Sequence, residues 1–144
     1  MSENVPINAT ETTLEIAQAL QDHESVGVTE LADEVDLPRS TVFNHLKTLE
    51  QNEYVVNEGG SYRLGCRFLE LGAKARSYHD VHEVARQEVN RLAKETGEIS
   101  ALLVEEHGFG VFLHRAEGEQ AVHIDSYTGQ RIYLHGAALG KAIL

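Results

Sequence analysis

Thr29 to Asn52, TELADEVDLPRSTVFNHLKTLEQN, constrains the fold more than any other stretch of the chain. It reads as two short helices joined by a tight turn. Leu31, Ala32 and Val35 make an apolar stripe on the first, with Thr29 placed to cap it. Asp36 and Leu37 form the turn, and Pro38 stands in the first turn of the second helix, where the missing N–H has no helical partner anyway. Val42, Leu46 and Leu49, spaced four and three apart, face the same core. Arg39, Ser40, Thr41, Asn44, His45, Lys47 and Thr48 are left pointing outward. Short donors and acceptors of this kind suit base edges in a major groove better than an enzyme pocket. The stretch is a helix-turn-helix candidate, and an ordinary helical hairpin is the plain alternative.

Size and composition bound the rest. A chain of 144 residues holds one ordinary domain, or a small domain and part of another. With 42% hydrophobic residues it can pack a core. No apolar run approaches a membrane span, and the N-terminus lacks the charged and apolar regions of a secretion signal, so a cytoplasmic location is expected. The single cysteine, Cys66, excludes an intramolecular disulfide and a Cys-cluster zinc site.

Charge runs against a nucleic-acid partner. There are 23 acidic and 12 basic residues, a formal net charge of −11, whereas a nucleic-acid binder is basic on at least one face. Between Val28 and Arg63 the cations are Arg39, Lys47 and Arg63, against Glu30, Asp33, Glu34, Asp36, Glu50, Glu53 and Glu58. Yet the outward side of Arg39 to Thr48 carries no carboxylate. Arginine outnumbers lysine eight to four, and the acidic surplus is spread along the chain. A halophilic source is the expectation from that surface. In molar salt the release of counterions drives binding weakly, so base contacts, shape and dimer symmetry would carry more of it.

Along the chain, residues 1–11 read as a disordered tail. Leu14, Ala17 and Leu20, with Ile16 beside them, make a helical stripe from about Thr12 to Asp22, which Thr12 or Thr13 would cap. After Asn52 the period changes. Tyr54 to Val56 and Tyr62 to Leu64 are strand-like around Gly59-Gly60, a hairpin whose only cation is Arg63. Three helices and such a hairpin make a winged helix-turn-helix. Cys66 to Thr96 is then helical, closed by Gly97, with a slip of phase around Ser77 to Asp80 that implies two helices or one sharp bend. The exposed apolar stripe of its first part suggests pairing with another subunit. Ile99 to Glu105, Phe109 to Arg115 and Ala121 to Ser126 read as three strands, Arg131 to Leu134 as extended, and Gly136 to Leu144 as the start of a helix.

In this order the parts resemble the IclR family of bacterial and archaeal transcription regulators. The residues that carry the resemblance are LADEVDLPRSTVFNHLKTLEQNEYV, YRLGCRFLELG, EVARQEVNRLAKETGEISALLV and GQRIYLHGAALGKAIL. The resemblance implies an α+β chain: a winged helix-turn-helix over 12–65, a linker and dimerisation helix over 66–80, and the first part of an α/β, GAF-like effector-binding domain over 81–144. It implies a homodimer or dimer of dimers on a pseudo-palindromic double-stranded DNA operator, and a small-molecule effector, often a carboxylate or aromatic acid. Ser40, Thr41, Asn44 and His45 become base or phosphate contacts, Arg39 and Lys47 phosphate contacts, and Thr48 and Arg63 complete the DNA-binding set. Leu134, His135, Gly136 and Ala137 become the effector-binding positions. Asn44 stands where the family commonly has arginine; asparagine reads adenine where arginine favours guanine. Tyr133 stands where proline usually precedes the Leu-His pair, and Gly136 where alanine is usual. Family members continue well past Leu144, so the effector domain is expected to be incomplete. A fragmented reading frame, an expression fragment and a natural short form all stay open.

Plainer readings accompany several of these residues. His79 and His82 could ligate a metal with Asp80, but a helical pair without a firm third ligand reads better as a solvated face. His114, His123 and His135 fit core or surface roles. Phe43 touches DNA or packs on its neighbour, and Cys66 is a small buried apolar residue. Gly136-Ala137 at a helix start offers free N–H groups to an anion, or packs closely. Neither a cofactor nor a metal is expected. Three function classes follow: a ligand-responsive transcription regulator, a truncated dimerising DNA-binding module that acts constitutively or interferes with a full-length partner, and an enzyme. No nucleophile elbow, phosphate loop or HExxH supports the last, and Glu105-Glu106 would point to opposite faces of a strand.

Overall fold

The computed structural model of the chain describes residues 4–136 and 138–143. It divides into two compact units, Met1–Leu71 and Gly72–Leu144.

In the first unit, helix α1 spans Asn8–Ala19 and runs into a 3-10 turn, Leu20–Asp22. Strand β1 (Val26–Gly27) leads directly into α2 (Val28–Glu34), and α3 follows as Arg39–Gln51. Strands β2 (Val55–Glu58) and β3 (Ser61–Leu64) form the hairpin. Its two-residue loop, Gly59-Gly60, has positive φ at both positions, as the tight turn that matches strand twist requires. Ile16, Leu20, Val26, Leu31, Ala32, Val42, Leu46, Leu49, Val55 and Tyr62 close into one core. The winged helix-turn-helix is therefore present, with Asp36 in the left-handed region (φ 53°) making the turn between α2 and α3.

Several local expectations are corrected here. The helix begins at Asn8, inside the expected tail, so Thr12 and Thr13 lie within α1, and Ile7 precedes it without a side-chain cap. Thr29 likewise lies inside α2, which starts one residue earlier after Gly27. Leu14 is 55% exposed, since the face of α1 that meets the core is carried by Ile16 and Ala17. The hairpin also gains a third strand: β1 pairs with β3, Val26 opposite Tyr62 and Gly27 opposite Ser61. A two-residue strand leaves too short a pattern to read.

In the second unit, α4 (Arg67–Ser77), which begins in the first unit, and α5 (Asp80–Thr96) break where the phase slips. Gly97, at φ 76°, caps α5 in the left-handed conformation open to glycine. Strands β4 (Ile99–Glu106) and β5 (Phe109–Glu117) pair antiparallel through a His107-Gly108 turn, with a bulge between Leu102 and Leu103. Helix α5 packs on these two strands through Val89 and Ala93. The expected strand over Ala121 to Ser126 does not form. The third place in the sheet goes to β6 (Arg131–Tyr133), registered Phe109 to Tyr133 and Val111 to Arg131. Val122 and Ile124 instead stand 72% and 57% exposed, and Arg115 donates to the Ile124 carbonyl at 3.2 Å to hold the loop. Leu134–Gly136 forms a 3-10 turn where Leu134 was expected to extend β6, and α6 spans Ala138–Ile143. Among the described residues no helix is long and apolar enough to cross a membrane.

Candidate nucleic-acid interface

Helix α3 is held by one stripe and presents the other. Val42 and Leu46 are fully buried, Leu49 nearly so, and together they anchor the helix against α1 and α2. On the opposite side Arg39, Ser40, Asn44, Lys47 and Thr48 are exposed, and Thr41 is half-buried. Asn44, Lys47 and Thr48 fall within one turn of each other, so their polar ends share a face. Gln51 lies on it too, seven residues after Asn44, and is exposed. The sequence reading passed over it, although the helical period from Asn44 finds it. Phe43 is 46% exposed at the border of this face.

His45 does not point outward with the others. It is half-buried on the α1 flank, its Nδ1 2.8 Å from the Thr13 hydroxyl. That hydroxyl donates its one hydrogen to the Ala9 carbonyl at 2.8 Å, which leaves it to accept from Nδ1 of His45. Residue 45 lies about 60° from Val42 around the helix axis at about 100° per residue, nearer the core than the outward face. Thr48 spends its hydroxyl hydrogen on the Asn44 carbonyl at 2.9 Å and keeps its acceptor sites.

The cations of the interface are mostly compensated. Lys47 Nζ lies 3.3 Å from Glu50. Arg63, on the wing, donates to Glu58 through Nε at 3.1 Å and Nη2 at 2.9 Å. Arg39 alone of the three has no carboxylate partner among the described residues.

The expected effector positions divide. Leu134 is buried, His135 and Gly136 are exposed, and Ala137 lies outside the described residues. The Tyr133 ring lies tilted between Phe109, 5.3 Å away, and His135, at 5.6 Å. Behind the turn Gly140 is buried directly against the Leu134 backbone, which leaves no room for a Cβ. The helix after this turn, α6, has six residues.

The remaining histidines go elsewhere. His82 meets His114 edge to face at 5.9 Å, and His114 Nε2 lies 2.8 Å from the Asn90 side-chain oxygen. Burial lowers the pKa of both rings below 6.5, with Arg76 and Arg86 adding to the effect. No group of three metal-ligating side chains occurs among the described residues. Cys66, expected to be buried, is exposed.

A buried three-helix core, a recognition helix with a polar outer face and a Gly-Gly wing define a winged helix-turn-helix protein carrying a second, α/β unit. The chain belongs to the IclR family of transcription regulators: residues 10–59 match the IclR helix-turn-helix domain and residues 73–144 the bacterial transcriptional regulator IclR C-terminal domain. It is 32% identical to the probable HTH-type transcriptional regulator ArcR of Halobacterium salinarum, over 91% of this chain and 51% of that protein. It is 34% identical to the HTH-type transcriptional regulator KdgR of Escherichia coli, over 90% of this chain and 50% of that protein. The crystal structure of the Thermotoga maritima IclR superposes with a TM-score of 0.75 at 25% identity, covering 94% of this chain and 56% of that one. The chain thus spans about half the length of the curated relatives it matches.

Proposed function

We propose that the chain is a DNA-binding transcription regulator that reads a pseudo-palindromic operator through α3. The observation that carries this is the exposed face of Ser40, Asn44, Lys47 and Thr48, with no carboxylate between Arg39 and Thr48, on a helix locked by Val42 and Leu46. Asn44 reads adenine through its amide, Ser40 and Thr41 contact bases or phosphate, and Arg39, Lys47 and Arg63 lie on the phosphate side. Thr48 offers acceptors, and His45 offers Nε2. The reading is of binding and regulation, not catalysis, in keeping with the regulators that the chain resembles.

Dimerisation through the linker over 66–80 completes the reading. Helix α4 buries none of its residues; its Leu69 is 70% exposed and Tyr78, just past its end, is 72% exposed, which supports a subunit partner. The second unit senses a small organic or aromatic acid near Leu134, His135, Gly136 and Ala137, as its match to the IclR C-terminal domain supports. The acidic surface and the likeness to a regulator of Halobacterium salinarum support work in a salty cytoplasm.

Asn44→Ala tests the central claim. Binding to a duplex selected from a random pool by the wild-type chain should weaken by about 1–3 kcal/mol, with mixed-sequence duplex hardly affected. Equal loss on both duplexes would remove Asn44 from base reading. Repeating the titration with added carboxylic and aromatic acids tests the sensing unit.

A further inference from the structure

Resting on the DNA-reading role of α3, we propose that Glu58 and Glu50 hold the interface's cations in internal pairs and so hold down sequence-independent binding to the phosphate backbone. The wing shows how. Arg63 lies opposite Val56 across the hairpin, and Glu58, two residues along β2, projects from the same face. Arg63 therefore meets Glu58 on the diagonal, its Nε and Nη2 both donating to one carboxylate oxygen while Nη1 donates to the Leu64 carbonyl at 3.4 Å. All three guanidinium nitrogens have a protein acceptor. The Gly59-Gly60 turn pins the register, and Gly60 N–H donates to the Asn57 side chain at 2.9 Å, so Glu58 cannot slide away along the strand.

Lys47 repeats the arrangement on α3, facing Glu50 three residues later. Both pairs are substantially exposed, so each holds weakly and a phosphate can compete for the cation. The carboxylate then stays beside the phosphate and repels it. Each pair brings no net charge to the backbone, and Arg39 is left as the one interface cation without a carboxylate partner among the described residues. Contacts to base edges, which need no net charge, keep their full value. Removing the negative charge strengthens binding to every sequence by about the same factor, so sites that offer only phosphate hold more of the protein.

The test compares the full wild-type chain with Glu58→Gln, Arg63→Gln and the double variant, by fluorescence anisotropy on a mixed-sequence duplex and on the duplex selected by wild type. One more phosphate neutralised steepens the salt dependence by about 0.9 in log–log slope. A fourfold dilution of salt should then tighten Glu58→Gln binding roughly three- to fourfold more than wild-type binding. The gain should appear on both duplexes alike, leaving the ratio of selected to mixed-sequence affinity unchanged. Arg63→Gln alone leaves Glu58 without its cation and should weaken binding to both duplexes, and in the double variant it should cancel the gain. An unchanged slope in Glu58→Gln, or a gain that persists without Arg63, overturns the proposal while leaving base reading by α3 in place. Failure of wild type and all variants to bind any duplex overturns both.

Discussion

His45 shows how a single side chain can belong to two surfaces. From the sequence it joins the polar residues of the recognition helix, yet its ring turns to α1 and donates to Thr13. Thr13→Val keeps the shape and removes that acceptor, leaving a half-buried donor without a partner. It should cost about 1–2 kcal/mol in chemical denaturation, with the melting curve still cooperative. The outward set of Arg39, Ser40, Asn44, Lys47 and Thr48 was legible because exposed positions on an amphipathic helix follow from the apolar stripe alone. His45 was not, because residues at the border of the stripe are assigned by whatever packs alongside, and α1 was one of the helices whose start the sequence misplaced. The pairing of Arg63 with Glu58 was hidden for a related reason: it depends on hairpin register, which counting charges does not reveal.

At the scale of elements, periodicity located the helices well and the strands less evenly. Val42, Leu46 and Leu49 repeat often enough to fix α3, and Gly97 marks the end of α5. The alternation of Val122 and Ile124 is equally regular, but a strand also needs a free neighbour, and Arg131 to Tyr133 occupies that edge of β5. The start of that misplaced strand sits just beyond Gly118, whose N–H bonds the Glu98 carbonyl at 2.9 Å. A Cβ at Gly118 would drive into the backbone of Gly97 and Ala93, at the junction of α5 with the sheet. Gly118→Ala should therefore destabilise the second unit by about 1–3 kcal/mol, seen as earlier unfolding in denaturant. A neutral effect would mean that the junction can relax.

At the scale of the whole chain, His23 of the first unit and His82 and His114 of the second answer acid in opposite senses. In the first, the hydrogen bond from His23 to Glu34, at 2.6 Å, raises the histidine pKa above 6.5, and Glu34, Glu30 and Asp22 reinforce it by charge. A raised folded pKa gives stability that is present below 6.5 and lost as pH climbs through the folded value. In the second, burial lowers His82 and His114, so that stability is full above 6.5 and declines as pH falls through their lowered values. Side-chain NMR titration should place the His23 midpoint above 6.5 and those of His82 and His114 below it. Glu34→Gln should bring His23 back toward its ordinary value. A His23 midpoint at or below 6.5 in the wild-type chain would remove the first contribution.

The division between the units falls inside a helix, at Leu71 and Gly72 of α4, a helix that buries none of its residues. Glycine in a helix interior gives up roughly 0.5–1 kcal/mol relative to alanine, and here no neighbour lies close enough to repay it through packing. The backbone amides around Gly72 accordingly open first and trade their hydrogens with solvent sooner than those of α3 or α5. The segment that joins the reading unit to its neighbour is thus a spring with its softest coil at the midpoint.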